Sequence, residues 1–77
     1  MIVQGHEIPE AAIAAAERVI ASMPEFELWD VQKALCNAGI PVRDGIANRV
    51  ADRLLQKARR DGRIRFERGR WRPVSPG

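Results

Sequence analysis

The 77 residues contain one cysteine and one histidine. With Cys36 alone no internal disulfide forms, and His6 is too little to complete a His/Cys metal set. Cys36 reads as a small, partly buried helix residue rather than a reactive thiol. One unpaired thiol also fits a reducing compartment. Aromatics are scarce, with two Trp, two Phe and no Tyr, so those present are expected to anchor the core. No apolar run approaches the roughly 20 residues of a membrane span. The opening Met1-Ile2-Val3-Gln4-Gly5-His6-Glu7 has neither the basic nor the apolar region of a secretion signal. The default expectation is a cytoplasmic protein with no membrane partner. The chain also lacks a nucleophile beside a base, a phosphate-cradling glycine loop and a carboxylate pair flanked by a cleft. No enzyme activity, cofactor, metal or small-molecule substrate is therefore expected.

Length bounds the rest. One small domain over residues 1–77 is expected, with an arm at 1–7 and a tail at 75–77. A domain of this size buries only about 60% of its unfolded surface, so each large apolar residue matters.

What is abundant is positive charge, and it is unevenly placed. Residues 1–42 hold two cations and six carboxylates, for a net charge of −4; residues 43–77 hold eleven and four, for +7. Ten of those eleven cations are Arg, which suits bidentate contacts to phosphate or guanine better than Lys does. Such polarisation bears on partners and favours a polyanion at the C-terminal half.

The periodicity predicts three helices and a ribbon. Pro9 to Ser22 is Ala-rich, with Ile13, Ala16, Ile20 and Met23 at helical spacing, and Pro24 stops it. Phe26 and Leu28 alternate with Glu25 and Glu27, enough for a single edge pairing. Residues 28–38 read as a second helix with Val31, Ala34, Leu35 and Ala38 inward and Gly39 ending it. Pro41 keeps Ile40 out of the helical region. A third helix runs from Asp44, the expected N-cap, to Arg60. Its apolar stripe is Ile46, Val50, Leu54 and Ala58, flanked by Ala47, Ala51 and Leu55. After Asp61-Gly62 the period changes from 3.6 to 2: Arg63-Ile64-Arg65-Phe66, a turn at Glu67-Arg68-Gly69-Arg70, then Trp71-Arg72-Pro73-Val74. Gly69 supplies the positive φ of a short hairpin. Ile64, Phe66 and Trp71 are expected to close the open end of the core, each contributing about 1.5–3 kcal/mol.

This order resembles the winged helix-turn-helix superfamily over about Pro9 to Val74. The pieces that carry the resemblance are Phe26-Glu27-Leu28-Trp29-Asp30-Val31 leading into Ala34-Leu35, and Leu54-Leu55 … Asp61-Gly62-Arg63-Ile64 … Gly69-Arg70-Trp71. It implies an α+β fold, a three-helix core with a C-terminal β-hairpin wing, and a third helix that reads the DNA major groove. By position, Arg43, Asn48, Arg49, Arg53, Gln56 and Lys57 become the candidate DNA contacts on the third helix. Asn48 suits adenine, and Arg49 or Arg53 suits guanine O6/N7. Asp52, an acid on that face, is expected to pair with Arg49 or Gln56. Arg65, Arg68, Arg70 and Arg72 are the candidate phosphate contacts of the wing, and the sharper functional expectation.

The expected function is a double-stranded DNA-binding module, of the kind found in small transcriptional or mobile-element regulators. The rival reading of the wing arginines is protection of an exposed sheet edge. The rival function is a protein-interaction or dimerisation domain using the N-terminal half. There Trp29, Lys33 and Cys36 share a face of the second helix. Trp29 is expected to pack against the first helix; if exposed, it would be an interface anchor.

Overall fold

Pro9 sets the first helix. The computed structural model describes residues 2–3 and 5–74, and the tail expected at 75–77 lies outside them. Pro9 sits at φ −59° and ψ 145°, just outside the helix as its N-cap. Its carbonyl accepts from the Ala12 and Ile13 N–H groups at 3.1 and 3.2 Å. Helix α1 therefore runs Glu10–Ser22, with Ala12, Ala16 and Ile20 buried. Ahead of it the expected arm is a small hairpin, β1 (Ile2–Val3) antiparallel to β2 (His6–Glu7). Val3 and Ile8 are buried and tie this hairpin to the core, while His6 is exposed.

Helix α2 spans Leu28–Asn37 and buries Val31 and Leu35. The Glu27 N–H donates to Asp30 Oδ2 at 2.8 Å, which satisfies a donor at the helix start. At its end the Ile40 N–H reaches back to the Leu35 carbonyl at 3.0 Å. A 3-10 turn follows at Arg43–Gly45, and helix α3 spans Ile46–Arg60. Here the expected cap is corrected. Gly45, at φ 70°, occupies the N-cap, and the helix start has no side-chain capping bond from Asp44 or any other residue. Asp44 itself lies in the 3-10 turn at φ 61°, a conformation Asp tolerates better than most residues. The apolar stripe of α3 is as the spacing predicts: Ile46, Ala47, Val50, Ala51, Leu54, Leu55 and Ala58 are all buried.

Gly62 turns the chain from α3 into the wing at φ 76°. Its N–H donates to the Arg59 carbonyl, and that of Arg63 to the Ala58 carbonyl at 2.9 Å, the double bond pattern of a glycine-ended helix. Strand β3 (Ile64–Glu67) then pairs antiparallel with β4 (Arg70–Pro73), placing Arg65 opposite Arg72 and Phe66 opposite Trp71. Arg68 and Gly69 between them have φ of 54° and 80°, the positive pair a two-residue hairpin turn requires. The result is an α+β fold, three helices carrying a C-terminal antiparallel hairpin in a winged-helix-like layout. No described helix is long and apolar enough to cross a membrane.

The predicted edge pairing is also present. Phe26 bridges Trp71 of β4 through two backbone bonds, Phe26 N–H to the Trp71 carbonyl at 3.0 Å and Trp71 N–H to the Phe26 carbonyl at 2.8 Å. Directly opposed residues in an antiparallel pair share a face, so Phe26, Trp71 and Phe66 form one aromatic row. Burial falls along it: Phe26 is 1% exposed, Trp71 is half-buried and Phe66 is 59% exposed. The expectation that three hairpin side chains close the core is corrected accordingly. Ile64 is buried and Trp71 packs partly against the core, but Phe66 lies beyond the core edge and meets Trp71 edge-on, with ring centroids 5.1 Å apart.

The gradient predicts the cost of truncation. Phe26→Ala should destabilise by about 3–5 kcal/mol, the usual range for emptying a buried aromatic site. Phe66→Ala should cost only about 0.5–1.5 kcal/mol, the value of an aromatic pair. Urea unfolding of both variants measures the difference, and equal costs would contradict the burial gradient.

Candidate nucleic-acid interface

The polar face of α3 is a consequence of its period. Residues four apart lie about 6 Å along one side of a helix, so Arg49, Arg53 and Lys57 form a row, with Arg60 continuing it. All four are exposed, as is Asn48, and Gln56 is half-buried beside them. Arg43 is exposed in the turn just before α3. Among the described residues, no carboxylate forms an ion pair with any of Arg43, Arg49, Arg53, Lys57 or Arg60. Asp52 is exposed within the row. The pairing with Arg49 that helical spacing predicts for it does not occur, since the described ion pairs all lie elsewhere. Two shallow clefts mark this face. Val3, Asn48, Arg49, Asp52 and Arg53 line one; Asp52, Arg53, Gln56, Lys57 and Arg60 line the other.

The N-terminal hairpin is a wall of the first cleft, which no sequence pattern announces. Val3 lines it, and the Arg53 guanidinium reaches the Ile2 carbonyl at 3.4 Å. Arg60, absent from the sequence-derived contacts, belongs to the second cleft. Its place in the 3.6-residue period was the available signal.

The wing is arranged differently. The residues flanking the aromatic row point to the other face of the sheet, where the charges meet. Glu25 takes Arg70 at 2.9 Å through one carboxylate oxygen and Arg72 at 3.3 Å through the other. Glu67 takes Arg65 at 3.1 Å and Arg72 at 3.8 Å. Arg63, at the base of the wing, pairs with Glu17 of α1 at 3.0 Å. Of the four wing arginines expected to hold phosphate, Arg65, Arg70 and Arg72 are thus engaged within the chain. Only Arg68, at the turn, has no carboxylate partner among the described residues.

On α2 the expectation for Trp29 is overturned. It is 61% exposed rather than packed on α1, because the inward positions of α2 are taken by Val31 and Leu35. Lys33, four residues on, is exposed and Cys36 is half-buried. No group of His, Cys, Asp and Glu able to hold a metal occurs among the described residues. No protein-family model, curated protein or solved structure matches the chain.

The ion pairs on the wing are solvent-exposed, and such pairs contribute about 1 kcal/mol or less, falling with salt. Glu25→Gln should therefore change stability by less than about 1 kcal/mol in thermal or urea unfolding while releasing Arg70 and leaving Arg72 only its longer pair with Glu67. A much larger loss would mean that the pair holds the wing in place.

Proposed function

We propose that the chain binds double-stranded DNA, with α3 lying in the major groove. The observation that carries this reading is the exposed row Arg49, Arg53, Lys57 and Arg60, with Asn48 beside it and no carboxylate ion-paired to its cations among the described residues. A helix fits the major groove of B-DNA, whereas the deep, narrow groove of A-form RNA excludes it. In this arrangement Arg43, Arg53, Lys57 and Arg60 neutralise phosphate. Asn48 and Arg49, near the N-terminus of α3, face base edges, where Asn reads adenine and Arg reads guanine. Asp52 lowers the net charge of the face and makes a tightly bound non-specific complex less favourable. Arg68 is the wing's available phosphate contact; Arg65, Arg70 and Arg72 would first exchange a carboxylate for a phosphate. A role as a small transcriptional or mobile-element regulator follows only in the sense that such a domain acts by occupying DNA or by recruiting a partner.

A second reading has its own observation. Trp29 presents an exposed indole on α2 with Lys33 beside it, as a protein-interface anchor does. On that reading the domain assembles with protein through its N-terminal half, and the α3 cations serve solubility.

The first reading is tested by titrating a mixed-sequence duplex across a salt series. The slope of log K against log salt should be about −4, equivalent to four or five phosphate contacts. Lys57→Ala or Arg60→Ala should each shallow it by about 0.9, and Asn48→Ala should cost about 1–3 kcal/mol on a preferred site alone. Glu25→Gln should steepen the slope by about 1, as a freed wing guanidinium joins the contacts. No binding at about 50 mM salt, where such complexes are tight, would sink the reading. For the second, Trp29→Ala should leave stability within about 0.5 kcal/mol, as for an exposed side chain free of packing. A larger loss would place Trp29 in the fold rather than at an interface.

A further inference from the structure

Strand β3 is the outer edge of the wing sheet. Phe26 bridges one edge of β4 and β3 lies on the other, so the order across the sheet is Phe26, β4, β3. The hydrogen-bond parity then determines what β3 offers. Trp71 spends both its N–H and its carbonyl on Phe26. In an antiparallel ladder, a residue bonded outward on one strand faces a partner that is also directed outward. Phe66, opposite Trp71, therefore turns its own N–H and carbonyl away from β4. No other backbone group among the described residues takes them. The residue with this open backbone pair is also the one whose ring is 59% exposed.

We infer that β3 pairs with β3 of a second copy of this chain, antiparallel about a two-fold axis at Phe66. The charge pattern selects both the occupant and the register. With Phe66 facing Phe66 of the second copy, the two residues exchange both backbone bonds, and Arg65 stands opposite Glu67 of the second copy and Glu67 opposite its Arg65. Backbone parity allows only registers shifted in steps that keep outward residues opposed. Centring the pair on Arg65 sets Arg65 against Arg65 and offers Glu67 only an Arg63 that Glu17 already holds, and centring it on Glu67 sets Glu67 against Glu67. Like charges directly opposed are destabilising, and the Phe66-centred register opposes none, so it is the favoured one. It extends the aromatic row into the second copy on one face and the ionic network on the other. It also covers the edge that a lone hairpin leaves open.

The strand is four residues long, so the interface is small and the dimer belongs to the weak, reversible class. The inference does not depend on DNA binding. It is tested by sedimentation equilibrium of the full chain from about 10 μM to about 1 mM, a range that spans weak self-association. The wild type should dimerise reversibly. Arg65→Glu and Glu67→Arg, each confirmed folded by circular dichroism, should each weaken the dimer by about tenfold or more, since two attractive pairs become repulsive. An equimolar mixture of the two variants should recover association. Both carboxylates of the first variant's strand then meet the two guanidiniums of the second's. That recovery separates the contact between copies from the Arg65–Glu67 pair within one. A wild type that stays monomeric throughout overturns the inference. So does a mixture that fails to recover, or a dimer that both variants leave intact and Trp29→Ala abolishes.

Discussion

Two backbone hydrogen bonds between Phe26 and Trp71 hold the wing to the helices. The arrangement of the wing follows from that bridge. The hairpin has only four residues in each strand, and an isolated two-stranded ribbon is marginal in water. Pairing with the segment between α1 and α2 supplies a third strand position at its centre. It also settles the two faces of the sheet. Phe26, Trp71 and Phe66 share one side, so their neighbours Glu25, Arg70, Arg72, Arg65 and Glu67 must share the other. The aromatic side grades from core to solvent, and the charged side becomes a network of short ion pairs.

That network redistributes the charge of the molecule. Along the chain, acid is concentrated before residue 42 and base after it. In three dimensions, the acidic half lends Glu17 and Glu25 to arginines of the basic half. The wing, richest in arginine, is partly neutralised. Helix α3 keeps its cations facing water, because its period places them opposite the buried stripe and beyond the reach of those carboxylates. The balance between the two candidate surfaces therefore shifts from the wing toward α3.

Elements governed by local spacing were legible in the residues. The helix periods of α1 and α3, the helix stop at Gly39, the junction at Gly62 and the turn at Gly69 each rest on contacts within a few positions, where pattern and propensity act directly. The pairing at Phe26 was also legible, since alternating apolar and acidic residues beside a helix have few other uses. Three of the misread features show what local pattern leaves out. Phe66 has the right parity for the core, but the core ends at Trp71. Trp29 is large and apolar, but Val31 and Leu35 already fill the inward face of α2. Asp44 is a good cap by type, but the 3-10 turn puts Gly45 in that position. The first two depend on how much room the neighbouring elements leave, and the third on the left-handed backbone of the turn before α3.

The sequence by itself determined the order of helices and hairpin, the inward stripe of α3 and the excess of arginine after residue 42. Those properties follow from hydrophobic period, turn chemistry and composition, all of which are local. Only the tertiary structure decided which arginines remain available. Glu25 and Arg70 are 45 residues apart in the chain and meet because the Phe26–Trp71 bridge aligns their strands. It also decided that Phe66 faces solvent with its backbone open, because burial and edge position belong to the assembled sheet and not to any one strand.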